Sequence, residues 1–317
     1  MKTYRVIIRP ETAFATPIVG DTLFGQMCWA IVELFGESRL ESYLQGYLDN
    51  DPFMVISNAF VKDHLLLPSL PSFYWNNDKN TDRKVLKGQR WIQESSLAEN
   101  HSCDWQQCAK SDANIAPSLL CQSTQMHNTL NRESGSTGTG QFALFESGLT
   151  WLNQEKVWQI FVLMRENALT QQELTQVITH VGLMGYGRDA SIGLGKFSIE
   201  SITEQVLPAV KGQPNAYLTL ANTCPQAQGF VAEKSFYLTH TRFGRHGNVM
   251  ATSGAPFKKP ILMADAGAVF TPEVFDYKQF IGRGISEIAI DQKTVHQGYA
   301  PVININIDFN RFNMSEG

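Results

Sequence analysis

The chain has 317 residues, of which 43% are hydrophobic and 18% are charged, and its formal net charge at pH 7 is -4. This composition is typical of a folded protein long enough for two domains of moderate size, and it excludes a disordered chain and a protein that is basic throughout. The chain shows no run of about 18 apolar residues and no cationic leader before an apolar stretch, so we expect a cytoplasmic protein without membrane contact.

Five cysteines, an odd number, give no disulfide framework and indicate a reducing compartment. Cysteines and histidines between 101 and 127 loosely resemble a zinc site, but the spacing C-x4-C-x12-C-x5-H matches no common pattern. We predict no metal and no cofactor. Whether these five residues bind a metal stays open: His101, Cys103, Cys108, Cys121 and His127.

The first predicted elements are a strand, two helices and a second strand. Alternating apolar residues predict a strand over 4–8. Asp21 is placed to cap a helix with a broad apolar face that ends at Gly36, and a short helix over about 38–48 is expected next. The apolar run 53–61 predicts the following strand.

Regular periodicity is lost between about 72 and 140, where Asn, Gln, Ser and charged residues dominate. We predict a mobile or partly helical insertion there. Its basic cluster is a candidate contact for nucleic acid, although a solvated basic loop explains the same residues. The candidates are Arg83, Lys84, Lys87 and Arg90, with Lys79 beside them.

After the insertion, 141–151 and 156–165 are predicted to be adjacent strands. Thr170 and Glu173 form a capping box that begins an amphipathic helix, and a strand over 196–202 follows it. The order strand, helix, strand, strand, helix, strand predicts an α+β, ferredoxin-like (RRM-like) βαββαβ fold. Such a fold has two helices on one face of its sheet and leaves the other face for a partner.

The remainder of the chain is predicted to be a second, smaller β-rich unit, a degenerate ferredoxin-like lobe. Its strands are expected at 216–221, 235–242 and 300–307. The expected domains are therefore 1–205, interrupted by the insertion at about 72–140, and 206–317.

The loop between the second helix and its strand is rich in glycine, from Gly185 to Gly195. Glycine exposes backbone amides, and Arg188 and Lys196 add positive charge, so the loop can hold an anion such as a phosphate chain. Because a helix ends rather than begins here, a small nucleotide cofactor is disfavoured against an extended polyphosphate backbone. A glycine C-cap followed by a flexible hairpin explains the same residues.

A second candidate segment runs from Arg242 to Asn248, where arginines alternate with an aromatic ring and glycines. Guanidinium groups and rings suit phosphate contact and base stacking, so this segment could clamp a splayed nucleotide. Residues 240–260 contain four Lys or Arg and no acid. A plain hairpin turn with exposed arginines is the alternative.

Three segments, Thr16–Gly25, Gly185–Phe197 and Thr294–Val302, together resemble the repeat-associated (RAMP) proteins of CRISPR effector complexes. Among these they most resemble the subunit-four type of type III-A (Csm) complexes, in the Cas-five group. The similarity covers most of the chain but not the insertion. It implies a noncatalytic subunit that binds the 5′ handle of the guide RNA (crRNA) and contacts a backbone subunit and a large subunit or target DNA.

The resemblance and the residue types together select a set of RNA-binding residues. They are Gly185, Gly187, Arg188, Ser191, Gly193, Gly195, Lys196, Arg242, Phe243, Arg245, His246, Lys258, Lys259, His296 and Tyr299. For the stretch from His296 to Tyr299, a buried structural turn explains the sequence equally well, and helix capping with close packing explains Gly20–Thr22.

Several alternatives remain open on the sequence. A repeat-RNA-processing endoribonuclease would need a catalytic histidine, but none lies in the loop after the first strand or in the first helix, where such relatives tend to have theirs. A Cas-seven-type backbone subunit and a pure protein scaffold are the other readings. The sequence does not choose between a type III complex and a reduced type I complex in which the insertion reaches target DNA.

Overall fold

The computed structural model describes residues 1–76, 82–138, 140, 143–247, 256–289 and 293–311. Its α-helices are α1 (Gly20–Phe35), α2 (Glu37–Leu44), α3 (Arg83–Gly88), α4 (Glu94–Glu99), α5 (Trp105–Cys108), α6 (Asp112–Ile115) and α7 (Gln171–Met184). Its strands are β1 (Lys2–Pro10), β2 (Met54–Ile56), β3 (Phe60–Val61), β4 (His64–Leu66), β5 (Trp91–Gln93), β6 (Leu120–His127), β7 (Phe145–Leu152), β8 (Trp158–Met164), β9 (Phe197–Glu204), β10 (Ala216–Thr219), β11 (Thr239–Arg242), β12 (Ile261–Ala264), β13 (Val269–Phe270), β14 (Phe280–Ile285) and β15 (His296–Ile305).

The main sheet has the strand order β2-β8-β1-β9, with all neighbours antiparallel and β3 also paired to β8. Every residue of β8 is buried, as expected for an apolar strand in the middle of a sheet. Helices α1 and α7 pack side by side and contact the sheet. Mixed α and β structure is therefore confirmed, with these elements in the chain order strand, helix, strand, strand, helix, strand.

The predicted strand over 53–61 is two strands, β2 and β3, because its middle residues turn away from β8. The N–H of Asn58 donates to Leu220 O at 2.8 Å, and the N–H of Ala59 donates to Ile18 O at 3.0 Å. This break connects the main sheet to the second half of the chain and to the segment before α1.

The face of the main sheet opposite α1 and α7 is closed along β8, contrary to the expectation of a free face. Gln159 is fully buried there and donates to His64 O at 2.9 Å and to Glu94 Oε1 at 2.7 Å. Arg5 of β1 forms an ion pair with the same Glu94 at 3.0 Å. Only the strip along β9 remains open, and its side chains are polar and exposed.

The insertion is partly helical, as predicted, but it packs into the core rather than standing apart from it. Ile92, Leu97 and Trp105 are buried in the same apolar cluster as the main sheet. Their spacing follows no single period because each belongs to a different short element. Sequence periodicity needs longer elements to be visible.

The prediction that 141–151 and 156–165 are adjacent strands is wrong. Strand β7 pairs with β6 over eight residues, from Leu120–Leu152 to His127–Phe145, as a separate two-stranded hairpin. Strand β8 pairs with β1 and β2 instead. The hairpin joins the body through a bridge between Phe14 and Thr150.

The second half of the chain is β-rich, as predicted. Strands β13, β10, β15 and β14 form a sheet in that order, and β11 pairs with β12. In the described residues after 205 there is no α-helix to complete a ferredoxin-like lobe. The apolar core continues into this sheet through residues such as Leu218, Tyr299 and Ile303.

Across the described residues, none of the helices combines the length and the apolar character needed to cross a bilayer.

Candidate nucleic-acid interface

The amino end of α1 is the point where the three signature segments meet. The Tyr186 hydroxyl, from the glycine loop, donates to Pro17 O at 2.8 Å and accepts from the Val19 N–H at 3.0 Å. From the third segment, His296 Nε2 lies 3.4 Å from Asp21 Oδ2. Segments that lie far apart in sequence thus form one structural unit.

Close packing at this junction explains the first signature glycine. A Cβ added to Gly20 would lie 2.1 Å from Ile56 O, and the Gly20 N–H donates to Asn58 Oδ1 at 2.9 Å. Gln297 bonds to both backbone groups of Ile56, at 2.9 and 2.8 Å. The prediction that Asp21 caps α1 is wrong, because Val19 occupies the N-cap and no side chain caps the helix.

The glycine loop is held tightly against its own chain. The Tyr186 N–H donates to Gly195 O at 2.9 Å, and the Gly195 N–H donates to Ala13 O at 2.8 Å. A Cβ at Gly195, whose φ is +72°, would lie 2.0 Å from Tyr186 O. At Gly185 it would lie 2.4 Å from a backbone oxygen, and at Gly187 it would lie 2.7 Å from a threonine side chain.

Gly193 is the exception among the loop glycines. Its φ is +95°, yet an added Cβ would meet no atom within 4 Å. The neighbouring Ser191 is exposed. The loop therefore offers its open surface to a ligand at 191–193, while Gly185, Gly187 and Gly195 are needed for the shape of the turn.

The two cations of the loop are placed differently. Arg188 reaches the middle of strand β7, where it donates to Ser147 Oγ at 2.8 Å and to Gly148 O at 3.1 Å. It also forms an ion pair with Asp189 at 3.2 Å, and its side chain remains 52% exposed. The backbone of Lys196 is tied down, since its N–H donates to Thr12 Oγ1 at 2.9 Å. No ion pair joins the Lys196 ammonium to the described residues.

The predicted clamp segment lies on a second hairpin, which we call the arginine hairpin and define as 239–247 with 256–264. Phe243 and Phe257 are 76% and 72% exposed. The Arg245 guanidinium carbon lies 5.6 Å from the Phe257 ring centroid, and these two residues form a backbone bridge. Exposed rings beside a cation suit the stacking of unpaired bases.

The two lysines of the arginine hairpin differ in their exposure to solvent. Lys259 is exposed, whereas Lys258 is half-buried and its aliphatic stem packs over Gly244. Burial lowers the pKa of Lys258. Asn248, the end of the predicted clamp segment, lies outside the described residues.

Arg242, the last residue of β11 in this hairpin, is paired with a buried carboxylate. Its Nε and one terminal nitrogen bond to the two oxygens of Asp21, at 2.6 and 2.8 Å. Burial by itself would raise the pKa of Asp21, but His296 and Arg242 outweigh it and hold that pKa well below its usual range. Arg242 is the firmer partner because His296 Nε2 makes no hydrogen bond.

Three predicted contacts lie inside the protein. Tyr299 is fully buried and its hydroxyl donates to Tyr47 O at 2.7 Å. His246 and His296 are also buried. Burial argues against RNA contact by these three side chains. His296–Tyr299 is buried, as one reading of the sequence expects, but it is the start of strand β15, paired with β14, and not a turn.

The basic cluster of the insertion divides in two. Arg83, Lys84 and Lys87 lie on α3, are exposed, and form no ion pair with any described residue. Arg90 instead pairs with Asp112 at 2.8 Å and lies over the Trp91 ring. Lys79 lies outside the described residues.

The loosely zinc-like residues do not come together. Cys121 and His127 lie six residues apart on β6, which is about 20 Å along a strand. His127 stacks on Phe145, with centroids 5.3 Å apart. In the part of the chain that the structure describes, no group of three or more His, Cys, Asp or Glu side chains could hold a metal ion.

Sequence reasoning missed the β6–β7 hairpin as a possible contact surface. Met126, Phe145 and Trp151 are exposed on it. Both of its faces lie largely in solvent, so neither strand shows the apolar alternation of a half-buried strand. The available signal was the glycine-rich turn, 135–140, between two extended stretches of similar length.

No family model matches the sequence, and neither does any curated protein. Solved structures do match over nearly the full length. A chain of the Csm1–Csm4 cassette in complex with pppApA shares 12% identity, with coverage of 98% of this chain and 100% of that chain and a TM-score of 0.61. A chain of the same cassette in complex with cA4 shares 12% identity, with coverage of 96% of this chain and 99% of that chain and a TM-score of 0.59.

A chain of the Csm3–Csm4 subcomplex of the type III-A CRISPR-Cas interference complex shares 14% identity, with coverage of 96% and 100% and a TM-score of 0.57. The fold is therefore the one that these chains of Csm1–Csm4 and Csm3–Csm4 assemblies have, as the resemblance predicted. At such identities the likeness is one of fold.

Proposed function

We propose that this protein is a noncatalytic subunit of a type III-A-like CRISPR effector complex and binds the 5′ handle of a crRNA. The observation that carries the proposal is the full-length fold match to chains of Csm1–Csm4 and Csm3–Csm4 assemblies. The meeting of all three signature segments at one end of α1 supports it. We also propose that β1, α1, β2, β8, α7 and β9 form a ferredoxin-like domain, because their order in the chain and in the sheet is the one that fold has.

In this proposal the RNA backbone approaches the glycine loop at 191–193, where the surface is open and an added side chain would meet nothing. Lys196 supplies positive charge beside it, and the half-exposed guanidinium of Arg188, paired with Asp189 on one side, supplies further N–H donors. The arginine hairpin contributes the other part of the site, since Phe243 and Phe257 can stack on unpaired bases while Arg245 and Lys259 face phosphates.

The partners we propose are a large subunit and a backbone subunit of the same complex. The matched chains come from assemblies with Csm1 and with Csm3, which favours a type III complex over the reduced type I alternative. The exposed cations of α3 and the exposed side chains of the β6–β7 hairpin remain available for target nucleic acid or for a neighbouring subunit.

Binding rather than cleavage fits the histidines of the described residues. A general acid or base must reach the RNA, but His246 and His296 are buried. His180 lies on α7 with its Nε2 2.6 Å from Glu33 Oε2, and neither residue belongs to the proposed interface. His240 is the exception, because it lies on the arginine hairpin with its side chain 38% exposed and its Nδ1 3.7 Å from Asp265 Oδ1. His240→Ala is therefore the variant that tests the endoribonuclease alternative.

The test uses the purified full chain and a labelled RNA derived from the CRISPR repeat, with fluorescence anisotropy at several salt concentrations. Gly193→Asn adds a side chain in the open part of the loop, and Asn tolerates a positive φ. The matched control is Gly229→Asn, where φ is +67° and the space is also open. We expect about a tenfold loss of affinity for Gly193→Asn alone.

Equal affinities for wild type and Gly193→Asn would remove the glycine loop from the interface. Absence of salt-dependent RNA binding by the wild type would contradict the proposed function and favour a protein scaffold. The same samples, run on a denaturing gel, test the nuclease alternative: site-specific cleavage would contradict a noncatalytic role.

A further inference from the structure

We propose that Arg242 and Asp21 form a buried latch that positions the arginine hairpin for RNA, and that neither side chain itself contacts RNA. This inference rests on the proposed function and changes the role of Arg242, which the sequence predicts to be a direct RNA contact. Arg242 is thus a positioning residue.

The geometry of the pair leaves little for a phosphate. The Asp21 side chain is 0% exposed and that of Arg242 is 16% exposed. Both carboxylate oxygens accept from Arg242, and Oδ1 also accepts from the Thr22 N–H at 2.7 Å. If Arg242 turned toward a phosphate, it would leave a fully buried carboxylate without its bidentate partner, which is costly.

The latch lies where the arginine hairpin most needs support. Strands β11 and β12 pair over four residues, and a two-stranded ribbon depends on outside contacts for stability. At one end of the ladder Ala264 bridges Thr223, and Arg242 lies at the other end, towards the tip. Arg242 is the last residue of β11 and stands directly before the exposed Phe243. The latch therefore connects the residue directly before the exposed tip to the first turn of α1.

Other contacts also hold the hairpin. At its base, Ala264 and Thr223 exchange two backbone hydrogen bonds, at 2.8 and 2.9 Å, and Met263 is buried. Gly247 lies against Trp29, with the position of an added Cβ 3.4 Å from the indole ring. Lys259 donates its N–H to Ile288 O at 2.7 Å. These contacts hold the base and the outer end of the hairpin, whereas the bidentate pair holds β11 at its end nearest to the tip. Its anchor, Asp21, lies 221 residues away in sequence. Fixing the tip before binding reduces the ordering cost of binding RNA.

The test replaces the pair by a neutral pair of similar shape, Asp21→Asn with Arg242→Gln, in the full chain. We expect this latch variant to bind the repeat-derived RNA about tenfold more weakly than wild type. The slope of log affinity against log salt should stay unchanged, because no phosphate contact is lost. Arg242→Lys, which keeps the charge but loses the fork, should also weaken binding.

A cycle with Phe243→Ala separates positioning from direct contact. Phe243→Ala should weaken RNA binding several-fold in the wild type and add little in the latch variant, because the tip is then already misplaced. Arg188→Ala, in the glycine loop, is the control and should keep its full effect in both backgrounds. Amide hydrogen exchange should accelerate in 239–247 of the latch variant but not in α7.

Three outcomes would overturn the latch: wild-type affinity in the latch variant, a salt slope reduced by about 0.7 as for one lost contact to single-stranded RNA, or an undiminished effect of Phe243→Ala. Failure of the proposed function is a different result, visible in the wild type alone as an absence of RNA binding. The latch then falls with it.

Discussion

The glycine loop and the arginine hairpin both lie near the amino end of α1, but they owe their sequences to different constraints. In the loop, a Cβ on Gly185 or Gly195 would clash with the protein's own backbone, and only Gly193 faces open space. In the hairpin, the rings of Phe243 and Phe257 are exposed, although the Arg245 guanidinium lies over the Phe257 ring. The glycine loop, which is the stronger sequence signal, thus mostly reflects packing. More of the side chains suited to RNA contact lie in the arginine hairpin, whose sequence signal is weaker.

The largest effect is expected at Arg242, where β11 of the arginine hairpin ends. Arg242→Ala leaves the buried Asp21 carboxylate without its bidentate partner, so the free energy of unfolding should fall by about 3–5 kcal/mol in urea denaturation. Arg245→Ala, at the exposed tip of the same hairpin, is the control and should cost less than about 1 kcal/mol. Similar losses of unfolding free energy for the two variants would mean that the Arg242–Asp21 pair contributes no more to stability than an exposed arginine does.

The second prediction concerns the loop. Gly195→Ala places a Cβ 2.0 Å from Tyr186 O at a positive φ, and we expect a loss of about 2–4 kcal/mol of unfolding free energy. Gly193→Ala meets only the backbone strain and should lose about 1 kcal/mol. Melting curves of the two variants provide the measurement. Equal stability of the two would show that packing does not set the positions of the loop glycines.

The third prediction follows from the lowered pKa of Asp21. Because its pKa is lower in the folded state than the unfolded value of about 3.9, the stabilisation is present above about pH 4 and is lost as the pH falls below it. This group should contribute a slope of up to about 1.4 kcal/mol per pH unit. Urea titrations between pH 5 and pH 2 should show a smaller slope for Asp21→Asn with Arg242→Gln. An identical slope would be inconsistent with an ionised buried Asp21.

The smallest effect on the unfolding free energy is expected at α3, whose sequence contains lysine and arginine but no aromatic residue. Changing Arg83, Lys84 and Lys87 together to alanine should alter the unfolding free energy by less than about 1 kcal/mol, because all three side chains are exposed and unpaired among the described residues. If α3 contacts a single-stranded RNA, the salt slope should decrease by about 2. An unchanged slope would restrict the interface to the loop and the hairpin.

The sequence predicts the long elements well because each buries one continuous face. The capping box of Thr170 and Glu173 starts α7 as predicted, and the run of apolar residues in β8 is buried throughout. The β6–β7 hairpin could not be found this way, because its residues lie largely in solvent and follow no apolar period. Pairing between distant strands, as between β8 and β1, leaves no local trace in sequence.

The candidate site was predictable in its residue types but not in its partners. Arg188 and Arg245 were identified by charge, and both stay at the surface. Arg242 carries the same charge but pairs with Asp21, a residue 221 positions away. Tyr299 was singled out as an aromatic beside a glycine, yet it lies in the core. One sequence gives the chemistry of a side chain, whereas its burial depends on the whole fold.

The closure of the main sheet along β8 limits how a nucleic acid can lie on this protein. The strip that remains along β9 is one strand wide, about 5 Å, and carries hydroxyl side chains such as Ser198, Ser201 and Thr203 instead of rings. Bases cannot spread flat over such a narrow, ring-free surface in the way that RRM domains use an open sheet. In the proposed function, an RNA therefore lies along the edge of the domain rather than across its sheet.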